Sequence, residues 1–352
     1  MNNIDSILAN IKRSKEEETN INSKVLLIDG LNIYLRAFSC NPTMNDDGTH
    51  IGGITGFFNS LCAAIRQMSP TRCVIVFDGK GGSQRRRKIY EEYKANRRGL
   101  RVRLNRAYDF EDADDEHKNA MRQLLRISDY LEQLPVTVLI RDNIEADDVI
   151  SYLAKDVFNE KVVIMSTDGD FVQLVNDRIS IWNPPHKKLY TPELVKEKYE
   201  FTPENHIYLK IISGDKSDNI PGIKGIGIKT IQKNLPLITS DVDISWSEFK
   251  DYLEKSIDNK TAKRLVEEME TLERNYTLMK LGEIEISGSS KSKIRELMGA
   301  SISSINNTKF KTQFLEDKLY SAIPNLNSWL MLNFSKLNKF ALTTHNKEIK
   351  FG

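Results

Sequence analysis

Short apolar runs and longer helical stretches alternate along the chain. Val25–Ile28, Cys73–Phe77, Val136–Ile140, Val162–Met165 and Ile179–Trp182 are rich in β-branched residues and read as buried strands. Gly53–Met68, Ala120–Leu134 and Ala146–Phe158 carry apolar residues at helical spacing between those runs. Strands separated by helices predict an α/β fold, with a largely parallel central sheet covered by helices on both faces.

Beyond the sheet the pattern changes. Leu209–Ser213 reads as the end of a helix, and Gly214–Lys229 as a glycine-rich loop with glycines at 214, 222, 225 and 227. Trp246–Ser256 and Thr261–Met279 return to helical spacing. From about Gly282 onward helical stretches are mixed with many Asn and Ser. No internal repeat is found.

Of the 352 residues 39% are hydrophobic, enough for a sizeable core, and 28% are charged. The formal net charge of +2 says little. Its distribution says more. Ser83–Arg106 contains Arg85, Arg86, Arg87, Lys88, Lys94, Arg97, Arg98, Arg101, Arg103 and Arg106 against Glu91 and Glu92. Glu111, Asp112, Asp114, Asp115 and Glu116 then reverse the sign. Such a segment cannot be core and is either a solvated helical excursion or a binding element.

Cys40, Cys62 and Cys73 are odd in number and lack CxxC spacing, which argues against a disulfide framework or a zinc site. No apolar stretch approaches a bilayer-spanning length. Residues 1–22 form a polar tail with Ile4, Leu8 and Ile11 at helical spacing, and the segment lacks the apolar core of a secretory signal. A reducing, cytoplasmic setting is expected.

The strongest chemical signal is where the acids sit. Asp29 follows Val25–Ile28, Asp78 follows Cys73–Phe77, and Asp168 and Asp170 follow Val162–Met165. In an open parallel sheet the ligand crevice lies at the carboxyl ends of the strands. Glu145, Asp147 and Asp148 stand at a helix start just beyond Val136–Ile140, and Asp215 and Asp218 lie in the glycine loop. Any one of these could be a turn residue or a helix cap. Together they need cations, because two like charges ~4 Å apart repel by about 4 kcal/mol at an effective dielectric of ~20. Ligation by carboxylates without histidine favours Mg²⁺ or Mn²⁺ over zinc. Clustered carboxylates holding two hard cations suit phosphodiester hydrolysis.

The basic segment adds aromatic residues. One helical face would present Arg86, Tyr90, Tyr93 and Arg97 with Lys94 beside them, cations for phosphates and rings for bases. In the glycine loop, Gly222, Gly225 and Gly227 permit tight turns, while Lys224, Lys229 and Thr230 stand at the next helix start. The arrangement reads as a nonspecific grip on a nucleic-acid duplex.

With these strings in place, the chain resembles the structure-specific 5′ nucleases. That family includes flap endonucleases, the 5′–3′ exonuclease domains of bacterial DNA polymerases and the phage replication nucleases of the phage RNase H type. The resemblance rests on Leu-Ile-Asp-Gly at 27–30, Val-Phe-Asp-Gly at 76–79, Tyr-Lys-Ala-Asn-Arg at 93–97, Glu-Ala-Asp-Asp at 145–148, Ser-Thr-Asp-Gly-Asp at 166–170 and the glycine loop, in family order. It implies a PIN-like catalytic domain over 23–208 with a helical arch at about 83–117. It further implies a helix-two-turn-helix DNA-binding region over 209–282, leaving a helical extension at 283–352.

The resemblance implies two metal sites. Asp29, Asp78, Glu145 and Asp147 match the first, with Asp148 close by. Asp168, Asp170, Asp215 and Asp218 match the second. Lys94 resembles the lysine that contacts the scissile phosphate, Arg97 lies about one turn on, and Lys210 stands where a substrate-binding lysine is expected. Two Mg²⁺ ions are implied, Mn²⁺ substituting, with K⁺ at the glycine loop.

The implied substrates are DNA and RNA–DNA duplexes with a free 5′ end or flap, met by a monomer in a bacterial or phage-infected cell. A sliding clamp or single-strand binding protein is the usual partner. Nothing in the sequence resembles a polymerase domain, which points to a free-standing enzyme. Two other readings compete. A PIN-type endoribonuclease gives no reason for the glycine loop, and a non-enzymatic duplex-binding protein gives none for the acids.

Overall fold

In a computed structural model, residues 20–97, 104–283 and 285–349 are described, without the side chains of 343–349. Most of the polar tail, and Arg98, Arg101 and Arg103 of the basic run, lie outside the described residues.

The five expected strands form, each lengthened or shifted by a residue or two. They are β1 (Lys24–Asp29), β2 (Arg72–Asp78), β3 (Thr137–Arg141), β4 (Lys161–Met165) and β5 (Ile179–Asn183). A short β6 (Lys188–Tyr190), unread in the sequence, completes the sheet in the order β3-β2-β1-β4-β5-β6. All neighbours pair parallel except β5 with β6, which is antiparallel. β1 is central, with Ile28 opposite both Ile75 and Met165. Val25, Leu26, Leu27 and Ile28 are all fully buried because both faces of the sheet are covered.

Alternate side chains of β1 enter different cores, as the two-residue period of a strand requires. Leu26 and Ile28 pack with helices α1 (Gly30–Cys40), α2 (Gly52–Met68) and α4 (Ala113–Leu131). Val25 and Leu27 pack against the other face, where Val149 and Ile150 of α5 (Ala146–Tyr152) and Val195 of α6 (Pro192–Tyr199) lie. The C-terminal segment contributes to both faces. Ile294 and Met298 of α12 (Gly288–Gly299) join the second core. Phe310 and Phe314 of α13 (Asn307–Glu316), with Phe334 and Leu337 of α14 (Leu326–Ile349), join the first.

A third core holds the helical region: α7 (His206–Ser213), α8 (Ile228–Asn234), α9 (Trp246–Lys255), α10 (Lys260–Glu267) and α11 (Met269–Met279). The single helix expected over Thr261–Met279 breaks at Glu268, where φ is −103° and ψ 21°. The break lets α10 pack with α8 and α9 while α11 lies along α7. Asn275 secures α11 by donating to the carbonyls of Ile211 and Pro221, each at 2.9 Å.

Two further expectations are corrected. Ala146–Phe158 is not one regular α-helix, since Leu153–Val157 widens into a π turn that ends with Phe158 N–H on Leu153 O. The continuous helical face over Arg86–Arg97 does not form. Helix α3 (Gln84–Ile89) stops at Ile89, Tyr90 turns extended, Lys94 sits at φ 55°, and a single 3₁₀ turn covers Ala95–Arg97. The side chain of Arg97 lies outside the described residues.

Candidate active site

Because β2, β1 and β4 are neighbours, Asp78, Asp29 and the Asp168 turn arrive side by side at one edge of the sheet. Each acid also closes local structure. Asp29 caps α1, its Oδ1 accepting from Asn32 N–H at 3.2 Å. Asp168 caps the 3₁₀ turn Gly169–Leu174 by accepting from Asp170 N–H at 2.8 Å. Asp78 Oδ1 accepts the Ala146 N–H at 2.8 Å, so the β2 acid holds the start of α5, where Glu145, Asp147 and Asp148 stand. Ligand oxygens of these three lie within 4.8 Å of one another.

Three residues of the basic segment, Arg86, Tyr93 and Lys94, are folded onto these acids. Arg86 is 2% exposed. Its guanidinium gives Nη1 to Glu145 Oε2 and Asp148 Oδ2, each at 2.6 Å, and Nη2 to Asp148 Oδ1 at 2.9 Å. Its Nε donates to Leu278 O at 2.9 Å, tying α11 to the site. Tyr93 is also buried, and its hydroxyl lies 3.0 Å from Glu145 Oε2 and 3.1 Å from Asp218 Oδ2. Neither side chain faces outward for a base or a backbone phosphate, which corrects the expected outward face. Tyr90 is half-buried, with the Arg274 guanidinium over its ring at 4.6 Å.

Two lysines complete the cluster. Lys94 Nζ lies 2.7 Å from Glu145 Oε1 and 3.9 Å from Asp218 Oδ2, and its backbone N–H donates to Asp218 O. Lys210, on α7, places Nζ 2.8 Å from Asp170 Oδ1 and 2.6 Å from Asp215 Oδ2. The acids of the sheet edge and those of the glycine loop are thereby brought to one place by ammonium groups.

The cluster strains against its own charge. Burial, with Asp78 and Asp147 nearby, pushes the Asp29 carboxyl up to about 7. Desolvation in the crowded site and the Asp170 charge raise Asp168, although the residue is exposed. Glu145 and Asp170 are raised chiefly by burial. Asp215 goes the other way, to about 2, because the Lys210 and Ser217 hydrogen bonds outweigh its burial. Asp147 repels Asp29, Glu145, Asp148, Asp168 and Asp170 alike, which makes it the electrostatic centre of the site.

The donor set fits hard divalent cations. It is all carboxylate oxygen, and ammonium groups already sit where positive charge is needed. Asp170 Oδ1 is buried without a well-aligned hydrogen-bond donor, facing only the Lys210 ammonium.

Sequence reasoning missed two residues that order these acids. Ser166 is fully buried; its hydroxyl donates to Asp29 Oδ2 and accepts from Asp168 N–H, both at 3.1 Å, linking β1 to β4. Asn32 Oδ1 accepts from Thr167 N–H at 3.1 Å and Oγ1 at 2.9 Å. Ser166 and Thr167 could have been suspected from their place before Asp168; Asn32 leaves no local signal.

The glycine loop lies on the helical region. Asp215 and Asp218 are held at its root by a short hairpin, β7 (Gly214–Asp215) with β8 (Ile220–Pro221). A Cβ on Gly214 would sit 2.3 Å from Gly222 N, so the two strands approach too closely for a side chain. Lys224, Gly225, Gly227 and Lys229 are exposed and Thr230 is half-buried at the start of α8.

An acid-edged parallel sheet joined to a helical region with a glycine loop defines a nuclease-type fold. Residues 24–200 match the family model described as 5′–3′ exonuclease, N-terminal resolvase-like domain, and the chain belongs to that family. It is 32% identical to a 5′–3′ exonuclease of Bacillus subtilis over 222 residues, covering 60% of this chain and 69% of the relative. It is 36% identical over 220 residues to DNA polymerase I of Bacillus caldotenax, covering 60% of this chain but 23% of that protein. The chain thus spans about a quarter of the polymerases it matches.

Among solved structures, the D15 flap endonuclease of bacteriophage T5 aligns with TM-score 0.57 and 21% identity over 84% of this chain and 99% of that one. Human GEN1 aligns with TM-score 0.52 and 14% identity over 90% and 73%. These likenesses concern the fold, that of PIN-like 5′ nucleases. No helix among the described residues is long and apolar enough to cross a membrane.

Proposed function

We propose that this protein is a structure-specific 5′ nuclease, acting as a 5′–3′ exonuclease, flap endonuclease and RNase H on DNA and RNA–DNA duplexes with a free 5′ end or flap. The observation that carries the reading is the meeting of Asp29, Asp78, Glu145 and Asp147 with Lys94 on one edge of the sheet, beside a second acid set under Lys210.

Asp29, Asp78, Glu145 and Asp147 would hold one divalent cation, and Asp168, Asp170, Asp215 and Asp218 a second. Mg²⁺ is the natural occupant of such oxygen sites and Mn²⁺ a substitute. Bound there, such cations polarise the phosphodiester and ease deprotonation of water. Lys94 approaches the same acids from the basic segment and is suited to meet the charge that develops on the scissile phosphate. Attack of water on phosphorus with departure of the 3′ oxygen leaves a 5′-phosphate and a 3′-hydroxyl. Lys224, Lys229 and the glycine backbone suit a grip on the duplex away from the cut, with K⁺ bound by loop carbonyls.

Such an activity fits removal of RNA primers or flaps during replication by a monomer in the cytoplasm of a bacterial or phage-infected cell. A sliding clamp or single-strand binding protein would recruit it. Strand-labelled 5′-flap DNA, primer RNA on DNA, and plain single-stranded RNA, each with Mg²⁺ and with EDTA, test the reading. Release from the 5′ side, abolished by EDTA, is expected. Digestion from 3′ ends, full activity in EDTA, or a preference for plain RNA would overturn it.

A further inference from the structure

The glycine loop does not stand alone on its surface. Helix α10 lies beside α8, and Asn259, the α10 cap, donates to Asn234 O at the end of α8 at 2.8 Å. Ala262 and Leu265 bury one face of α10 completely. The opposite face exposes Lys260, Lys263 and Arg264, with Glu267 closing the row. Among the described residues, no carboxylate pairs with these three cations.

Arg264 has a particular position. Gly225 is exposed at φ 79°, and a Cβ built on it would meet only Arg264 Nη1, at 3.5 Å. Gly227 has nothing within that range at all. Among the described residues, the Gly225 and Gly227 amides find no acceptor in the chain. The Gly225 amide at a left-handed turn and the Gly227 amide just before α8 are each open to an acceptor, the Ile226 N–H between them being spent on Ile223 O, and a guanidinium stands beside them. A planar fork of donors matches phosphate better than an ammonium does.

We infer that Arg264, with Lys260 and Lys263 behind it, is a second arm of the duplex-binding surface, and that Arg264 and the Gly225–Gly227 backbone together hold one phosphate of a duplex. The inference rests on the reading of the glycine loop as a duplex grip. It adds an element outside the loop, about 40 residues further along the chain, that widens the contact from one turn to two neighbouring helices.

Binding isotherms in Ca²⁺ on a 5′-flap duplex, at 50 to 200 mM KCl, test it. The proteins are the full chain, Arg264→Gln, Arg264→Lys, Lys260→Gln/Lys263→Gln and Lys229→Ala, each checked by thermal melting. Arg264→Gln should reduce the slope of log K against log salt by ~0.9, which is about a 3.5-fold smaller loss of affinity across that range. Arg264→Lys should restore the slope. The lysine pair should reduce it further. If Lys229→Ala lowers the slope and Arg264→Gln does not, the second arm is wrong while the loop stands. If neither lowers it, the loop reading falls and takes this inference with it. If Arg264→Gln weakens a single strand as much as the duplex, the duplex assignment is overturned.

Discussion

Both carboxylate oxygens of Asp148 are taken by the guanidinium of Arg86, Oδ1 at 2.9 Å and Oδ2 at 2.6 Å. Asp148 therefore differs from Asp147, one residue away, which faces the other acids without such a clamp. The pair is buried, and the same guanidinium reaches Glu145. Arg86 thus cancels charge beneath the site and aims Glu145 toward Lys94.

Arg86→Ala leaves Asp148 buried without its partner, while Glu145 keeps Lys94 and Tyr93, and should destabilise the fold by about 3–5 kcal/mol. Arg86→Lys should recover only part of this, because an ammonium cannot reproduce the two-pronged contact. Urea unfolding at pH 8 checks both. A loss below about 1 kcal/mol for Arg86→Ala would show that the clamp carries no weight.

Acidity should stabilise the metal-free protein. Asp29 is raised from 3.8 to about 7, and Asp168, Glu145 and Asp170 are raised with it. A carboxyl raised in the folded state contributes stability that is full below its unfolded value and lost as pH rises through its folded value. Asp215 contributes the opposite way, but its loss begins only as pH falls below 3.8 toward about 2. Lys94 and Lys210 are both raised above 10.5 and stay charged throughout. In EDTA the melting temperature should rise as pH falls from about 8 to about 6.5; below that the buried imidazoles of His206, lowered to about 3, and His50, also lowered by burial, oppose the rise, because the unfolded chain protonates them first. The Mg²⁺ concentration giving half-maximal cleavage should fall as pH rises through about 7. A melting temperature that drops between about pH 8 and about pH 6.5 in EDTA contradicts this.

Asp168→Asn should abolish most cleavage and raise the melting temperature in EDTA, since it removes a charge that presses on Asp170 and Asp147. Asp78→Asn should also abolish cleavage, but it keeps an oxygen for the Ala146 N–H and so keeps the start of α5. Calorimetry with and without Mg²⁺, beside flap cleavage, separates the two effects. Retained activity in both variants would remove the acids from the chemistry.

Lys94 and Lys229 should divide between chemistry and grip. Lys94→Ala should lower the single-turnover rate by about 10²-fold or more, the scale for one lost charge-stabilising group. Lys229→Ala should act mainly on affinity, with a salt slope smaller by ~0.9. Equal losses of affinity in both, with neither rate changed, would show that these roles are misassigned.

The five longer strands, the largely parallel character of their sheet and the acids at their ends were legible because each signal is local. A buried strand needs an unbroken apolar run, and the residue that follows it lies at the sheet edge whatever the rest of the chain does. The glycine loop was legible for the same reason: positive φ and close backbone approach are demanded residue by residue, as at Gly225 and Gly214.

The basic segment was not legible in that way. Its charges suggested an outward helix, yet Arg86 and Tyr93 turn inward to Glu145, 59 and 52 positions away. Whether a cation faces solvent or a buried carboxylate depends on which distant charges the fold brings within a few ångströms. Coulomb energy at such distances exceeds the fraction of a kcal/mol by which local helix propensity prefers one conformation. Local pattern thus set the sheet and the edge where the acids gather, and tertiary contact decided which cations answer them.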